Sequence, residues 1–214
     1  MALLSTWWFL AGWLVLTIPS LVILIRDLRS KNAHLMSLMK VVWALTVVYS
    51  GPVGLAVYWL TGRKEISDDG IWRRGARSVA HCYSGCGMGE IIGVTVAVGV
   101  IAAPTWGVAL ITFTLAFTFG ILLTVGPMMQ EGTKFRPALK DALIAETPSI
   151  VVMEAVAIGS DILISGDATI GEPLFWSALI VSLSFGLLAA YPVNVMLIRF
   201  GIKEGMMDPR MTGD

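Results

Sequence analysis

The stretch SVAHCYSGCGMGEIIGVTVAVGVIA, residues 78–102, decides how this chain folds. It is mostly apolar and long enough to cross a membrane, yet its first half contains His81, Cys82, Cys86 and Glu90. Ionisable groups are costly in hydrocarbon, so their presence inside a membrane segment is by default a functional-site hypothesis. The stretch therefore predicts a membrane helix that carries a site.

The composition of the whole chain is typical of a polytopic membrane protein. Of its 214 residues, 56% are hydrophobic and 14% are charged, and the mean hydropathy is +0.79. Apolar runs of about 18 residues or more indicate spanning helices, and lipid offers no partner to an unpaired strand edge. We expect an all-α transmembrane helix bundle, a single domain over residues 1–214, with the bilayer as its partner. The six apolar segments are residues 6–25, 36–60, 78–102, 106–125, 137–164 and 174–199.

The positions of the basic residues give two topologies. Cytoplasmic loops carry an excess of Lys and Arg, and with six crossings 11 of the 15 basic residues lie on one side together with both termini. The other four lie between the first two segments. If the second segment instead bends at Gly51-Pro52 and returns, the chain crosses five times with one re-entrant helix. All 15 basic residues are then on one side, and only the N-terminus is outside. Six crossings are favoured by the count, and the C-terminus is cytoplasmic in both arrangements.

The residues of the opening stretch separate into two stripes on a helix. Because residues four apart share a face, Cys82, Cys86 and Glu90 form one stripe, and His81 begins its neighbour. Thiolates, imidazole and carboxylate together suit copper, zinc or iron, so these four residues are candidate metal ligands. The neighbouring stripe is a small-xxx-small pattern of the kind that lets a second helix approach closely; its glycines are Gly85, Gly89 and Gly93.

The fifth segment offers a second set of polar groups. Glu146, Glu154 and Asp161 fall on one helical face, and Met153 precedes the acid at mid-membrane depth. With no Lys or Arg at that depth, a metal ion or a proton is the remaining counter-charge. These four residues are candidate second ligands or a proton path.

Simpler explanations remain open for the same residues. The two cysteines can serve as small packing residues, and a disulfide between them would be strained within a helix. His81 can cap the helix or lie at headgroup level, and Glu154 can be a structural acid bonded to Thr or Ser.

Several chemistries have no motif in the chain. Covalent haem attachment through Cys-x-x-Cys-His and the nucleotide-binding Gly-x-x-x-x-Gly-Lys-Ser/Thr are both absent. The net charge of zero gives no indication of a nucleic-acid partner. We expect a protein that is not an enzyme, although a membrane redox enzyme using the thiol pair stays open.

The chain resembles an uncharacterised bacterial membrane family, domain of unknown function 4396. The resemblance lies in HCxxGCxxGE at residues 81–90, VWALTVVYSGP at 42–52, AETPSIVVME at 145–154, EPLFW at 172–176 and YPVN at 191–194. Ala44 departs from the pattern, which is expected to have proline there. The resemblance covers residues 36–202, preceded by a first helix and basic loop over 1–35 and followed by a short polar tail over 203–214. It implies a multi-pass protein of the bacterial inner membrane, and it carries no settled activity.

Two functions of different classes follow from these observations. The first is a metal-handling membrane protein that transports or delivers copper or another thiophilic ion through an interhelical Cys/His/Glu site. The alternative is a non-catalytic structural or accessory subunit of a membrane complex, packed through its glycine stripe. Either could form a homo-oligomer or join a larger complex.

Overall fold

A computed structural model describes residues 2–130, 132–206 and 208–211, so residue 207 and residues 212–214 of the expected polar tail lie outside it. Six helices, each long and apolar enough to cross a membrane, make up the described chain, and no strand occurs among these residues. The expected all-α bundle of six helices is confirmed. The helices are α1 (Trp7–Arg29), α2 (Ser37–Thr61), α3 (Ile71–Val94, continued by a π-helical segment Thr95–Val100), α4 (Thr105–Gln130), α5 (Phe135–Ser165) and α6 (Pro173–Arg199).

Helix α2 is broken at Gly51, and its two halves pack against each other. Gly51 has φ 53° and ψ −129° and is followed by Pro52; the positive φ is readily adopted only by glycine. The rings of Trp43 and Tyr58 are 5.2 Å apart, although a continuous helix would separate these residues by about 22 Å. The second half of α2 therefore returns to the end where α2 began, as in the re-entrant alternative.

A polar cluster fastens the returning half of α2 to the end of α1. The carboxylate of Asp27 accepts hydrogen bonds from Asn32 Nδ2 (2.8 Å), Tyr58 Oη (2.7 Å) and the Arg63 guanidinium (3.1 and 3.2 Å). Asn32 Oδ1 in turn accepts from the backbone N–H of Lys64 (2.7 Å). These bonds tie the start of the α2–α3 loop to the α1–α2 loop.

The C-terminal segment closes over the same end of the bundle. His34 Nε2 lies 2.8 Å from the carbonyl oxygen of Pro209, and the Arg77 guanidinium bonds to the carbonyl oxygens of Thr61 and Met206 and to Asp69. Because α2 returns, every Lys and Arg of the chain lies toward this end, which is termed the basic end. The opposite end carries the α3–α4 and α5–α6 loops.

The glycine stripe of α3 packs directly on the backbone of α4. A Cβ atom built on any of the three glycines would fall well inside van der Waals distance of an α4 backbone atom, so the two helices could not keep this spacing with larger side chains. The distances from the built Cβ to Cα are 2.8 Å for Gly85 and Gly120, 2.5 Å for Gly89 and Ala116, and 2.7 Å for Gly93 and Thr112.

Substitution of Gly89 by alanine is expected to destabilise the bundle by about 1–3 kcal/mol, since the added methyl must push two backbones apart. The measurement is the free energy of unfolding in detergent. Gly159→Ala in α5 is the matched control, because no atom lies within 4 Å of its built Cβ and alanine is the better helix former. Equal stability of the two variants would contradict the close packing of α3 on α4.

Candidate functional site

The two thiols lie together in the interior of the bundle. Cys82 and Cys86 are free and buried, one turn apart on α3, with their Sγ atoms separated by 3.9 Å. The hydroxyl of Ser149 in α5 donates to Cys82 Sγ at 3.4 Å. Two thiolates on one tetrahedral metal ion, each about 2.3 Å from it, are about 3.8 Å apart. The observed spacing is close to that distance, and it is also an ordinary contact distance between two thiols.

Acidic groups continue from the thiols toward the end opposite the basic end. Glu154 of α5 is fully buried, and neither of its carboxylate oxygens has a hydrogen-bond partner. Its titratable neighbours are Glu90, Cys82 and Cys86. Glu90 also has an unpartnered oxygen and interacts electrostatically with Asp161. A buried polar atom without a hydrogen-bond partner destabilises the fold. A bound proton or cation would therefore stabilise these carboxyl groups.

A hydrogen-bonded network leads from the thiols toward the basic end. Asn194 Nδ2 donates to Ser149 Oγ (2.8 Å), while its Oδ1 accepts from Ser78 (3.0 Å) and from Lys203 Nζ (3.0 Å). Lys203 Nζ also donates to Glu146 Oε2 at 2.6 Å, and both members of this ion pair are buried. The counter-charge of Glu146 is thus Lys203, which follows α6 and folds back into the bundle.

Lys203 and Asn194 were not expected in the site. A buried carboxylate such as Glu146 requires a charged or hydrogen-bonding partner. That requirement is the only indication of such residues in the sequence. No local periodicity marks a lysine four residues beyond the end of a helix as that partner.

The remaining candidate residues face elsewhere. His81 is 2% exposed, has no partner for either ring nitrogen, and lines a cavity of about 520 Å³ near the basic end. Its electrostatic neighbours are Glu146 and Lys203. Met153 lies against α6, where a Cβ on Gly186 would come within 3.1 Å of Met153 Cγ. His81 therefore opens onto the cavity, and Met153 contacts α6 within the same buried core as the thiols.

Few potential metal ligands lie close together in the interior of the bundle. Across residues 2–130, 132–206 and 208–211, no three His, Cys, Asp or Glu side chains are already grouped in a way that could hold a metal ion. The thiol pair provides two sulfur atoms, and Glu154 is a buried carboxyl that interacts with both thiols. Chemically, the arrangement places two buried thiols next to buried carboxyl groups that can exchange protons.

Comparison with known proteins identifies the family of this chain but no individual related protein. A family model described as Domain of unknown function (DUF4396) matches residues 71–203, more than half of the chain, and the chain belongs to that family. The matched range contains the thiol pair, the acids of α5 and Lys203, whereas residues 42–52 lie outside it. No curated protein and no solved structure matches the chain.

Proposed function

We propose that this member of the family is an integral membrane protein that binds a soft monovalent cation, Cu(I), at Cys82 and Cys86, and that it transports or delivers this ion. The observation that carries the proposal is the buried pair of thiols 3.9 Å apart, beside the unpartnered carboxylate of Glu154. Thiolates select Cu(I), zinc or iron–sulfur clusters over harder ions.

The number of ligands favours Cu(I) over zinc within that class. A structural zinc ion takes four protein ligands, and the interior here supplies two thiolates with one neighbouring carboxylate.

Proton release gives the acids of the site a role. Thiols must lose their protons to bind a metal ion, and two protons therefore have to leave Cys82 and Cys86. Glu154 lies beside the thiols and interacts with Glu90, which interacts with Asp161. We infer that this line of carboxyls accepts the released protons and leads them away from the basic end.

The distribution of charge supports an orientation in the bacterial inner membrane. With α2 folded back, all 15 basic residues lie toward the basic end, and an excess of Lys and Arg marks the cytoplasmic side. The C-terminus is then cytoplasmic, the N-terminus lies outside, and the ion reaches the thiols from the cytoplasm.

The test is metal analysis of protein purified under anaerobic, reducing conditions after loading with Cu(I). We expect about one tightly held copper per chain, with sulfur ligands in X-ray absorption, and loss of this copper in Cys82→Ser/Cys86→Ser. Met129→Leu is the control, because it removes a sulfur atom from an exposed position on α4. A parent protein that binds no stoichiometric copper would reject the proposal and favour an accessory subunit. Equal copper in parent and double variant would reject the two ligands.

A further inference from the structure

We propose that the cavity at the basic end is a second, weaker site for a soft monovalent cation, Cu(I) or Ag(I), formed by methionine thioethers and the His81 imidazole. The inference rests on the proposed function for its role, which is to receive the ion before it reaches the thiol pair. The binding itself can be tested with the thiols removed.

The lining of the cavity is unusually rich in thioethers. The cavity has a volume of about 520 Å³ and lies between the start of α2, α3, α4, α5 and the segment after α6. Methionine accounts for 11 of the 214 residues, yet it supplies four of the lining side chains from three separate parts of the chain. These are Met36, Met39, Met128 and Met206.

His81 is an independent indication that the cavity takes a ligand. Its ring is 2% exposed and lines the cavity, and neither ring nitrogen has a hydrogen-bond partner. A neutral imidazole needs both a donor and an acceptor partner, so the unpaired ring nitrogens are available to an occupant. Imidazole binds copper readily, and thioethers select Cu(I).

The charges around the cavity favour a soft ion over a hard one. Glu146, the buried carboxylate of the lining, is already paired with Lys203 at 2.6 Å. The other carboxylates of the lining, Asp141 and Glu204, are exposed, so the remaining ligand groups are the buried His81 imidazole and the half-buried thioethers. A hard divalent ion such as Mg²⁺ or Ca²⁺ prefers oxygen ligands. Imidazole and thioether groups instead bind a soft monovalent ion.

The cavity also lies close to the thiol pair. His81 is adjacent in sequence to Cys82, and Glu146 interacts electrostatically with both His81 and Cys86. Lys203 and Asn194 connect the cavity wall to Ser149, which bonds to Cys82. The cavity wall and the thiol pair are therefore connected through His81, Glu146 and this hydrogen-bonded network.

The experiment is a titration of the purified protein in detergent with silver nitrate in chloride-free buffer. Isothermal titration calorimetry measures the binding. In the Cys82→Ser/Cys86→Ser background we expect one Ag(I) to bind, more weakly than to the parent. Adding Met36→Leu, Met39→Leu and Met128→Leu, or separately His81→Ala, should weaken this binding at least tenfold. Leucine conserves the volume of methionine, so the methionine variant should keep its fold, to be checked by circular dichroism. Met129→Leu/Met196→Leu, at exposed positions, is the matched control.

The outcomes separate the two proposals. No Ag(I) binding in the double-serine background, or binding that the folded cavity variant retains in full, would overturn the cavity site. The thiol site is judged instead by whether the parent loses its tightest Ag(I) on going to the double-serine background. Either site can therefore fail while the other stands.

Discussion

A cysteine placed at position 5 is expected to react with a membrane-impermeant maleimide in intact cells, and a cysteine placed at position 211 is expected to react only after the cells are opened. Because α2 folds back at Gly51, the chain between these positions crosses the membrane an odd number of times. In the proposed orientation the end that contains position 211 is cytoplasmic, because an excess of Lys and Arg marks that side. The difference in labelling should be nearly all or none. The measurement is gel-shift labelling in the Cys82→Ser/Cys86→Ser background.

A cysteine at Gly171, in the loop between α5 and α6, is the internal control and should react as position 5 does. Equal accessibility of positions 5 and 211 would mean that α2 crosses the membrane, and would contradict the folded-back helix. Labelling at 211 but not at 5 would keep the fold and reverse its orientation.

Replacement of Asp27 by alanine is expected to lower the free energy of unfolding by about 3 kcal/mol, near the lower end of the range for breaking a buried ion pair. Asp27 is 8% exposed and is the common acceptor for Asn32, Tyr58 and Arg63. Its loss leaves the Tyr58 hydroxyl without this acceptor, while Arg63 keeps a contact with Glu65 at 3.3 Å. The returning half of α2 should loosen first, and the measurement is unfolding by denaturant in mixed micelles.

Asp68→Ala is the matched control, since Asp68 is 65% exposed and pairs with Arg73 at the surface. Exposed ion pairs contribute little to stability, so we expect almost no change. An Asp27 variant as stable as the Asp68 variant would show that the cluster does not hold the returning half of α2.

The helices and the thiol pair follow from the sequence for physical reasons. An apolar run in lipid has to satisfy its own backbone polar groups, which makes hydropathy sufficient to identify the six segments. The helical repeat then brings Cys82 and Cys86 together, and gives Gly85, Gly89 and Gly93 one common face. These relations lie within single helices, so no knowledge of the packing is required.

The return of α2 and the partners of the buried charged groups depend on contacts between distant parts of the chain. Hydropathy does not distinguish a helix that crosses from one that returns, and the count of basic residues alone favoured six crossings. Gly51-Pro52 and the four basic residues around the α1–α2 connection were the signals of the return. The partners of Asp27 and of Glu146 lie 31 or more residues away, with Asn32 the exception. That His81 lines the cavity depends on how α3 packs against α2, α4, α5 and α6.

The broken helix α2 has a consequence for how the protein is made. Its halves, residues 37–50 and 52–61, are about 21 and 15 Å long, and each is shorter than the roughly 30 Å hydrocarbon core. Gly51 lies against Thr17 and Trp13 of α1, where a built Cβ would come within 2.9 Å of Thr17 Oγ1. Neither half is therefore a segment that the insertion machinery can release into lipid by itself. We expect the hairpin to be seated late in biogenesis, once α1 and α3 have both emerged from the ribosome to receive it.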